Sequence, residues 1–168
     1  GIPIVPGVTN SEIAKAYGAD LILLNLLDVF NPHIEGLELE QDYIKQLKKL
    51  VGRPIGVNLE PVDDKVDMIE SKVEIAEGRK ATEETLKKIE AMGFDFVCLT
   101  GNPGTGVSNS KIIESVKLAK KHFSGLIIAG KMHGAGSNEA VIDKKIIKDL
   151  IKAGIDILLV PAIGTIQG

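Results

Sequence analysis

Three stretches of the chain share one pattern of apolar and polar positions. "YGADLILLN" (Tyr17–Asn25), "MGFDFVCLTGN" (Met92–Asn102) and "AGIDILLVPA" (Ala153–Ala162) each read glycine, one apolar residue, aspartate, then an unbroken apolar run. A run that does not alternate predicts a strand buried on both faces, as in a parallel sheet covered by helices. Gly18, Gly93 and Gly154 stand where the preceding helix must stop, because glycine accepts the left-handed conformation there. Two further strands are predicted at "RPIGVNLEP" (Arg53–Pro61) and "GLIIAGKMH" (Gly125–His133).

Helical spacing fills the gaps. Tyr43, Ile44, Leu47 and Leu50 share a face over Gln41–Leu50. Ile112, Ile113, Val116, Leu118 and Ala119 do so over Ser110–Phe123, and Ile146, Ile147, Leu150 and Ile151 over Asp143–Ala153. Thr82 is a cap for a helix carrying Leu86 and Ile89, with Glu83 and Glu84 suited to its positive end. No full capping box is expected there, because Thr85 replaces the usual Glu or Gln. Near the start, Thr9, Asn10 or Ser11 caps a helix that ends by Gly18. The prolines around Ile2–Val5 make that piece a poor central strand.

Strand and helix therefore alternate, which predicts an α/β fold with a parallel sheet. Two architectures compete, an open doubly wound sheet and an arc of a (β/α)8 TIM-type barrel. Polar residues follow almost every strand: Asn25 and Asp28, Asn58 and Glu60, Thr100 and Asn102, Lys131 and His133, and Thr165. A barrel gathers all such positions around one mouth, so the expectation is a TIM-type barrel, incomplete in this chain, with about five to six βα units. About two units are expected to be missing at the C-terminal end and a strand at the N-terminal end, since a barrel needs about 250 residues. Residues 1–168 read as a single barrel domain or fragment, with a charged insertion at about 62–80 that reads as a lid or a solvated helix.

Composition narrows the function classes. The chain is 44% hydrophobic and 26% charged, with a net charge of −3 and its basic residues dispersed. Only 4% is aromatic and there is no Trp, which argues against nucleic acid as a partner. No apolar run reaches the ~18 residues of a membrane span. The single Cys98 lies in a strand, reads as a core thiol and fits a reducing cytoplasm.

The candidate chemistry lies in "LTGNPGTGVSNSK". Gly101 and Gly106 have the spacing of a nucleotide-binding P-loop, but Val107 stands where that loop needs a lysine. The alternatives are a cradle for one small phosphate or carboxylate, built from Thr100, Gly101, Asn102, Gly104, Thr105, Gly106 and Ser108 at a helix N-terminus, and a tight turn that holds nothing. Asn25 and Asn58 are further binding candidates. Glu60, Lys131 and His133 supply a carboxylate, an amine and an imidazole, the components of proton transfer and Schiff-base or enolate chemistry. If the strand extends to His133, Lys131 and His133 point to one side. The competing reading is a Glu60–Lys131 ion pair lining the mouth. Asp28, Glu60, Asp63 and Asp64 are candidates for a Mg2+ ion. His33 reads as surface, and His122 as a cation suited to a helix end.

"GVNLEP", "LTGNPGTGV", "IIAGKMHGAG" and "GADLILLNLLDVFNP" resemble a bacterial family of uncharacterised TIM-barrel proteins, often labelled phosphoenolpyruvate phosphonomutase-like. The resemblance covers nearly the whole chain and implies a barrel with its site at the strand ends. It also implies a chain continuing about two units beyond "VPAIGT", in line with the usual barrel size. The aspartate cluster and K-x-C-G-H-type lid of the mutase and isocitrate-lyase superfamily are absent, as is the D-x-D-type motif of the dehalogenases.

The expected function is an enzyme in the lyase, aldolase or mutase range, acting on a small phosphorylated or carboxylated oxo compound. The alternative is a non-catalytic metabolite-binding barrel or sensor; a third reading is an open nucleotide-binding sheet. The expected partner is a small anionic molecule, and a homo-oligomer is compatible with the sequence.

Overall fold

The computed structural model describes residues 5–37, 42–65, 72–133, 139–141 and 143–164. Five parallel strands, β1 (Ile22–Leu24), β2 (Ile55–Leu59), β3 (Phe96–Leu99), β4 (Leu126–Gly130) and β5 (Ile157–Leu159), lie side by side in chain order. Helices α1 (Asn10–Ala16), α2 (Tyr43–Val51), α3 (Glu83–Met92), α4 (Asn109–His122) and α5 (Lys144–Ala153) alternate with them, and a 3-10 turn spans Glu77–Arg79. A doubly wound sheet reverses its strand order at a switch point. Here the order never reverses, so right-handed crossovers place successive helices on one face. The arrangement is a barrel arc, and residues 1–4 and 165–168, with all but Val5 of the doubtful Ile2–Val5 piece and with Thr165, lie outside the described residues.

The helix-bearing face carries the core. Ile55, Val57 and Leu59 of β2, Val97 and Leu99 of β3, and Ile127 and Ala129 of β4 pack with Ile44, Leu47 and Val51 of α2, Leu86 and Ile89 of α3, and Ile112 and Val116 of α4. Two positions differ from the sequence reading of these helices. On α2 the buried stripe ends in Val51, and Leu50 is 47% exposed. On α5 Leu150 is buried, whereas Ile151 is 61% exposed. On α2 the next residue round the helix meets the sheet in place of Leu50; on α5 Leu150 is buried as predicted and Ile151 turns to the outside.

Strands buried on both faces are found only at the centre. β2 and β3 are buried throughout, but Leu23 of β1, Leu126 of β4 and Ile157 of β5 are 43%, 49% and 40% exposed. Burial on the second face requires strands across the barrel, and only the middle of the arc is enclosed by its own loops.

The repeated glycine and aspartate each have a structural task. Gly18, Gly93 and Gly154 have φ of +90°, +78° and +106° and end α1, α3 and α5. Asp95 accepts the Ile55 N–H at 2.8 Å, and Asp156 accepts the Ile127 N–H at 2.8 Å. Each of these two aspartates thus pins the neighbouring strand near its start, beside the register Gly56–Phe96 and Ile128–Ile157. Lys48 of α2 pairs with Asp95 at 2.7 Å and ties helix to strand.

The caps follow the sequence with one exception. Thr9 and Glu12 form a capping box on α1. On α3 the box expected to be missing is made after all, because the Thr85 hydroxyl accepts the Thr82 N–H at 3.0 Å while Thr82 accepts the Thr85 N–H. A short hydroxyl reaches where the longer carboxylate usually serves.

Candidate functional site

All strands run the same way, so their C-terminal ends share one edge of the sheet. Alternation along β2 sends Ile55, Val57 and Leu59 to the helices and Gly56, Asn58 and Glu60 to the inner face. The floor is tight: a Cβ on Gly56 would lie 2.2 Å from the Phe96 ring. Above it Asn58 is 3% exposed and Glu60 is 1% exposed.

Glu60 is held on both sides. Its Oε1 accepts from Arg79 at 2.5 Å, and its Oε2 accepts the Asn102 N–H at 2.9 Å. Its backbone N–H donates to the Arg79 carbonyl, and its carbonyl accepts from Ala81. Arg79 stands on the 3-10 turn, and Gly78 before it presses on the β1 loop. A Cβ at Gly78 would fall 1.8 Å from Asp28 Oδ1, and the Gly78 carbonyl accepts the Val29 N–H at 3.1 Å. Burial pushes the Asp28 carboxyl up, but hydrogen bonds from Phe30 and Asn31 and the charge of Arg79 outweigh it and hold it below the ordinary carboxylate range.

Three asparagines form the rim. Asn25 Nδ2 donates to Asn102 Oδ1 at 3.0 Å, and Asn25 Oδ1 accepts from Asn58 Nδ2 and Asn102 Nδ2 at 3.1 and 3.2 Å. Asn25 is exposed, Asn102 half-buried and Asn58 buried. Two buried atoms, Asn58 Oδ1 and Arg79 Nε, have no hydrogen-bond partner among the described residues. Thr100, also buried, directly follows β3, whose last residue Leu99 pairs with Leu59.

The glycine loop is packed against the chain itself. Gly101 has no room for a Cβ, which would lie 2.6 Å from Val107 Cγ2, and Gly104 and Gly106 have positive φ. Thr105 bonds back to the Asn102 carbonyl through both N–H and hydroxyl. The described part of the 62–80 segment lies along the loop, with Asp63 N–H donating to Gly106 and Val73 N–H to Gly104. Among its described residues that segment forms no α-helix. The N-terminus of α4 takes two carboxylates from the chain: Ser108 Oγ donates to Asp63, and the Asn109 N–H donates to Glu139 at 2.6 Å. The Ser108 hydrogen bond holds the Asp63 carboxyl below its ordinary range despite partial burial.

Lys131 belongs to that second assembly. β4 ends at Gly130, so the strand does not carry Lys131 and His133 to one common side, as an extension to His133 would require. Lys131 borders a small cleft with Ile112, Ile146, Leu150 and Leu158, on the helix-bearing face, and its Nζ pairs with Glu139 at 3.0 Å. The Glu60–Lys131 ion pair is not formed; Glu60 takes Arg79 and Lys131 takes Glu139. His133 is half-buried just beyond. Cys98 is buried, and burial pushes its thiol up to about 12, as a core thiol requires.

The residues suggested for Mg2+ do not fit one as they stand. Glu60 has both oxygens engaged, Asp28 accepts from Phe30 and Asn31, Asp63 from Lys65 and Ser108, and Asp64 pairs with Lys72. No three His, Cys, Asp or Glu side chains gather among the described residues. Sequence reasoning missed Arg79 and Glu139. The available signal for Arg79 was rarity: only Arg53 and Arg79 are arginines among 20 basic residues, and arginine is the usual choice for pairing a buried carboxylate.

A family model described as a domain of unknown function, DUF7916, matches residues 1–168, so the chain belongs to that family. No curated protein matches the chain. Among solved structures it is similar to phosphonopyruvate hydrolase in complex with oxalate and Mg2+, at 12% identity and a TM-score of 0.55. It is equally similar, at 8% identity and a TM-score of 0.55, to 2,3-dimethylmalate lyase, a member of the PEP mutase/isocitrate lyase superfamily. Each likeness covers 94% of this chain but only 56% and 55% of those proteins, so the chain spans little more than half of their length. At such identities the likeness is one of fold.

Proposed function

We propose that this DUF7916 protein is an enzyme of the lyase or mutase kind, acting on a small carboxylated or phosphorylated oxo compound at the inner strand-tip edge. Arg79 binds the anionic group, Asn25 and Asn102 line the entrance, and Glu60 moves the proton. The observation that carries the reading is Glu60 itself. It is a carboxylate 1% exposed, at the tip of a central strand, matched to an arginine whose Nε still lacks an acceptor among the described residues. Arginine offers several donors in a fixed fork, so one guanidinium can hold Glu60 and a substrate anion together. Support for the class comes from the two similar structures, one a hydrolase of phosphonopyruvate and the other a dimethylmalate lyase. No step is routed through a metal, because the carboxylates present are otherwise engaged. Lys131, held by Glu139 on the other face, has no part in this reading.

One observation favours a second reading, a non-catalytic metabolite-binding barrel: each Glu60 oxygen already accepts a hydrogen bond from the chain, one from Arg79 and one from the Asn102 N–H. The two are separated by incubating the chain with pyruvate, oxaloacetate and phosphoenolpyruvate while following thermal unfolding and proton NMR. Stabilisation with product formation that Glu60→Gln abolishes supports the enzyme. Stabilisation without turnover supports the binding protein. No stabilisation by any of these acids rejects both.

A further inference from the structure

We infer that Asn58 selects an acid carrying a hydroxyl group, an inference that rests on the strand-tip site proposed above. The orientation of its amide is settled by its neighbours. The Leu26 N–H donates to Asn25 Oδ1 at 3.0 Å, so that atom is a carbonyl oxygen and accepts from Asn58 Nδ2 at 3.1 Å. Asn58 thus spends its NH2 group on Asn25 and leaves its Oδ1 buried, with no donor among the described residues. A residue 3% exposed that keeps an acceptor without a donor bears a desolvation cost that only a new donor relieves.

The second orphan in the site has the opposite character. Arg79 Nε is a donor, attached to the guanidinium that holds Glu60, and Glu60 lies two residues beyond Asn58 on the same sheet face. One orphan accepts and the other donates. A hydroxyl-bearing acid, an oxo acid with a hydroxyl included, answers both, with its carboxylate toward Arg79 and its hydroxyl donating to Asn58 Oδ1. An unsubstituted acid, or an oxo acid without a hydroxyl, answers only Arg79. Asn25, exposed and bonded to both Asn58 and Asn102, holds the Asn58 amide from the entrance side. A site built to bond a hydroxyl discriminates strongly against the analogue that lacks it, because its own polar atom is then left unpaired.

Malate and succinate test this, as four-carbon dicarboxylates with and without a hydroxyl. Calorimetric titration of the full chain with each enantiomer of malate and with succinate is expected to show one malate binding at least about tenfold tighter. Asn58→Leu is expected to abolish the preference, bringing malate to the affinity that the same variant shows for succinate. Equal affinities in the unaltered chain overturn the inference, whatever Asn58→Leu does to folding. If in that case Arg79→Gln abolishes the binding of both acids, the strand-tip site stands without hydroxyl selection. If neither acid binds at millimolar concentration, site and inference fall together.

Discussion

Two buried ion pairs lie at the C-terminal edge of the same sheet, one on each face. Glu60–Arg79 sits on the inner face, and Lys131–Glu139 on the face that carries the helices. In each, one partner is almost fully buried: Glu60 is 1% exposed and the Lys131 side chain 1%. They differ in what remains unspent. Around Lys131, Glu139 also caps the first N–H of α4, Asn109 reaches the Ala140 carbonyl, and Ser108 ties Asp63 to the same helix end. Around Glu60, Asn58 Oδ1 and Arg79 Nε are left over. A closed network locks a turn in place, while an open one keeps bonding capacity for something not part of the chain.

The largest effect should come from breaking the inner pair. Arg79→Ala leaves Glu60 buried without its cation, and urea unfolding is expected to show a loss of about 3–5 kcal/mol. The same variant should lose anion binding. If stability fell and binding survived, the inner pair would be structural like the other.

Next comes Glu139→Ala, which strands Lys131. The expected loss is near the lower bound, about 3 kcal/mol, because the Glu139 carboxylate is itself partly exposed and its pairing is screened by water. Binding of acids at the inner face should be unchanged, since no hydrogen bond or ion pair among the described residues joins the two assemblies. A change in affinity here would show that they are coupled.

Acid should then weaken both regions. Asp63 beside Ser108 and Asp28 beside Phe30, Asn31 and Arg79 are held below the ordinary carboxylate range in the folded chain. A depressed carboxyl contributes stability above its unfolded value, and that contribution is lost as pH falls through its folded value. Unfolding free energy should therefore decline on acidification below the ordinary aspartate range. Asp63→Asn should be less stable at neutral pH and show a shallower decline. An unchanged slope would mean that the Ser108 contact is not formed in solution.

The smallest effect is expected at Asn58→Leu. It removes one hydrogen bond to an exposed partner and also an unsatisfied buried acceptor, so the net change should lie within about 1 kcal/mol. A much larger loss in urea unfolding would mean that Asn58 is a structural keystone, and the contrast between the two faces would narrow.

The local features of this chain were legible from its residues. Glycine at 18, 93 and 154 ends helices because its backbone permits a conformation others avoid. Thr82 caps as expected, Thr9 is the cap among Thr9, Asn10 and Ser11, and Ser108 and Asp143 cap likewise, because a short polar side chain reaches the N–H groups a few residues ahead. The apolar runs give the strands, and their alternation with helices gives the α/β class. Asn25, Asn58, Glu60 and Asn102 come together as expected of strand ends on one parallel sheet.

What tertiary structure alone decided was the pairing of distant charges and the side each one faces. Lys131 follows Ile127 and Ala129 to the helix-bearing face while Glu60 follows Gly56 and Asn58 to the inner one, so the two charges stand on opposite sides of the sheet and each takes another partner. Arg79 reaches Glu60 because the segment that carries it returns to the sheet, where Gly78 packs against Asp28, a contact remote in sequence and beyond the reach of local propensity. Local preference acts over a turn of helix or a hairpin. The partner of a buried charge is settled only once the sheet has brought remote segments within a few ångströms, where desolvation makes pairing compulsory.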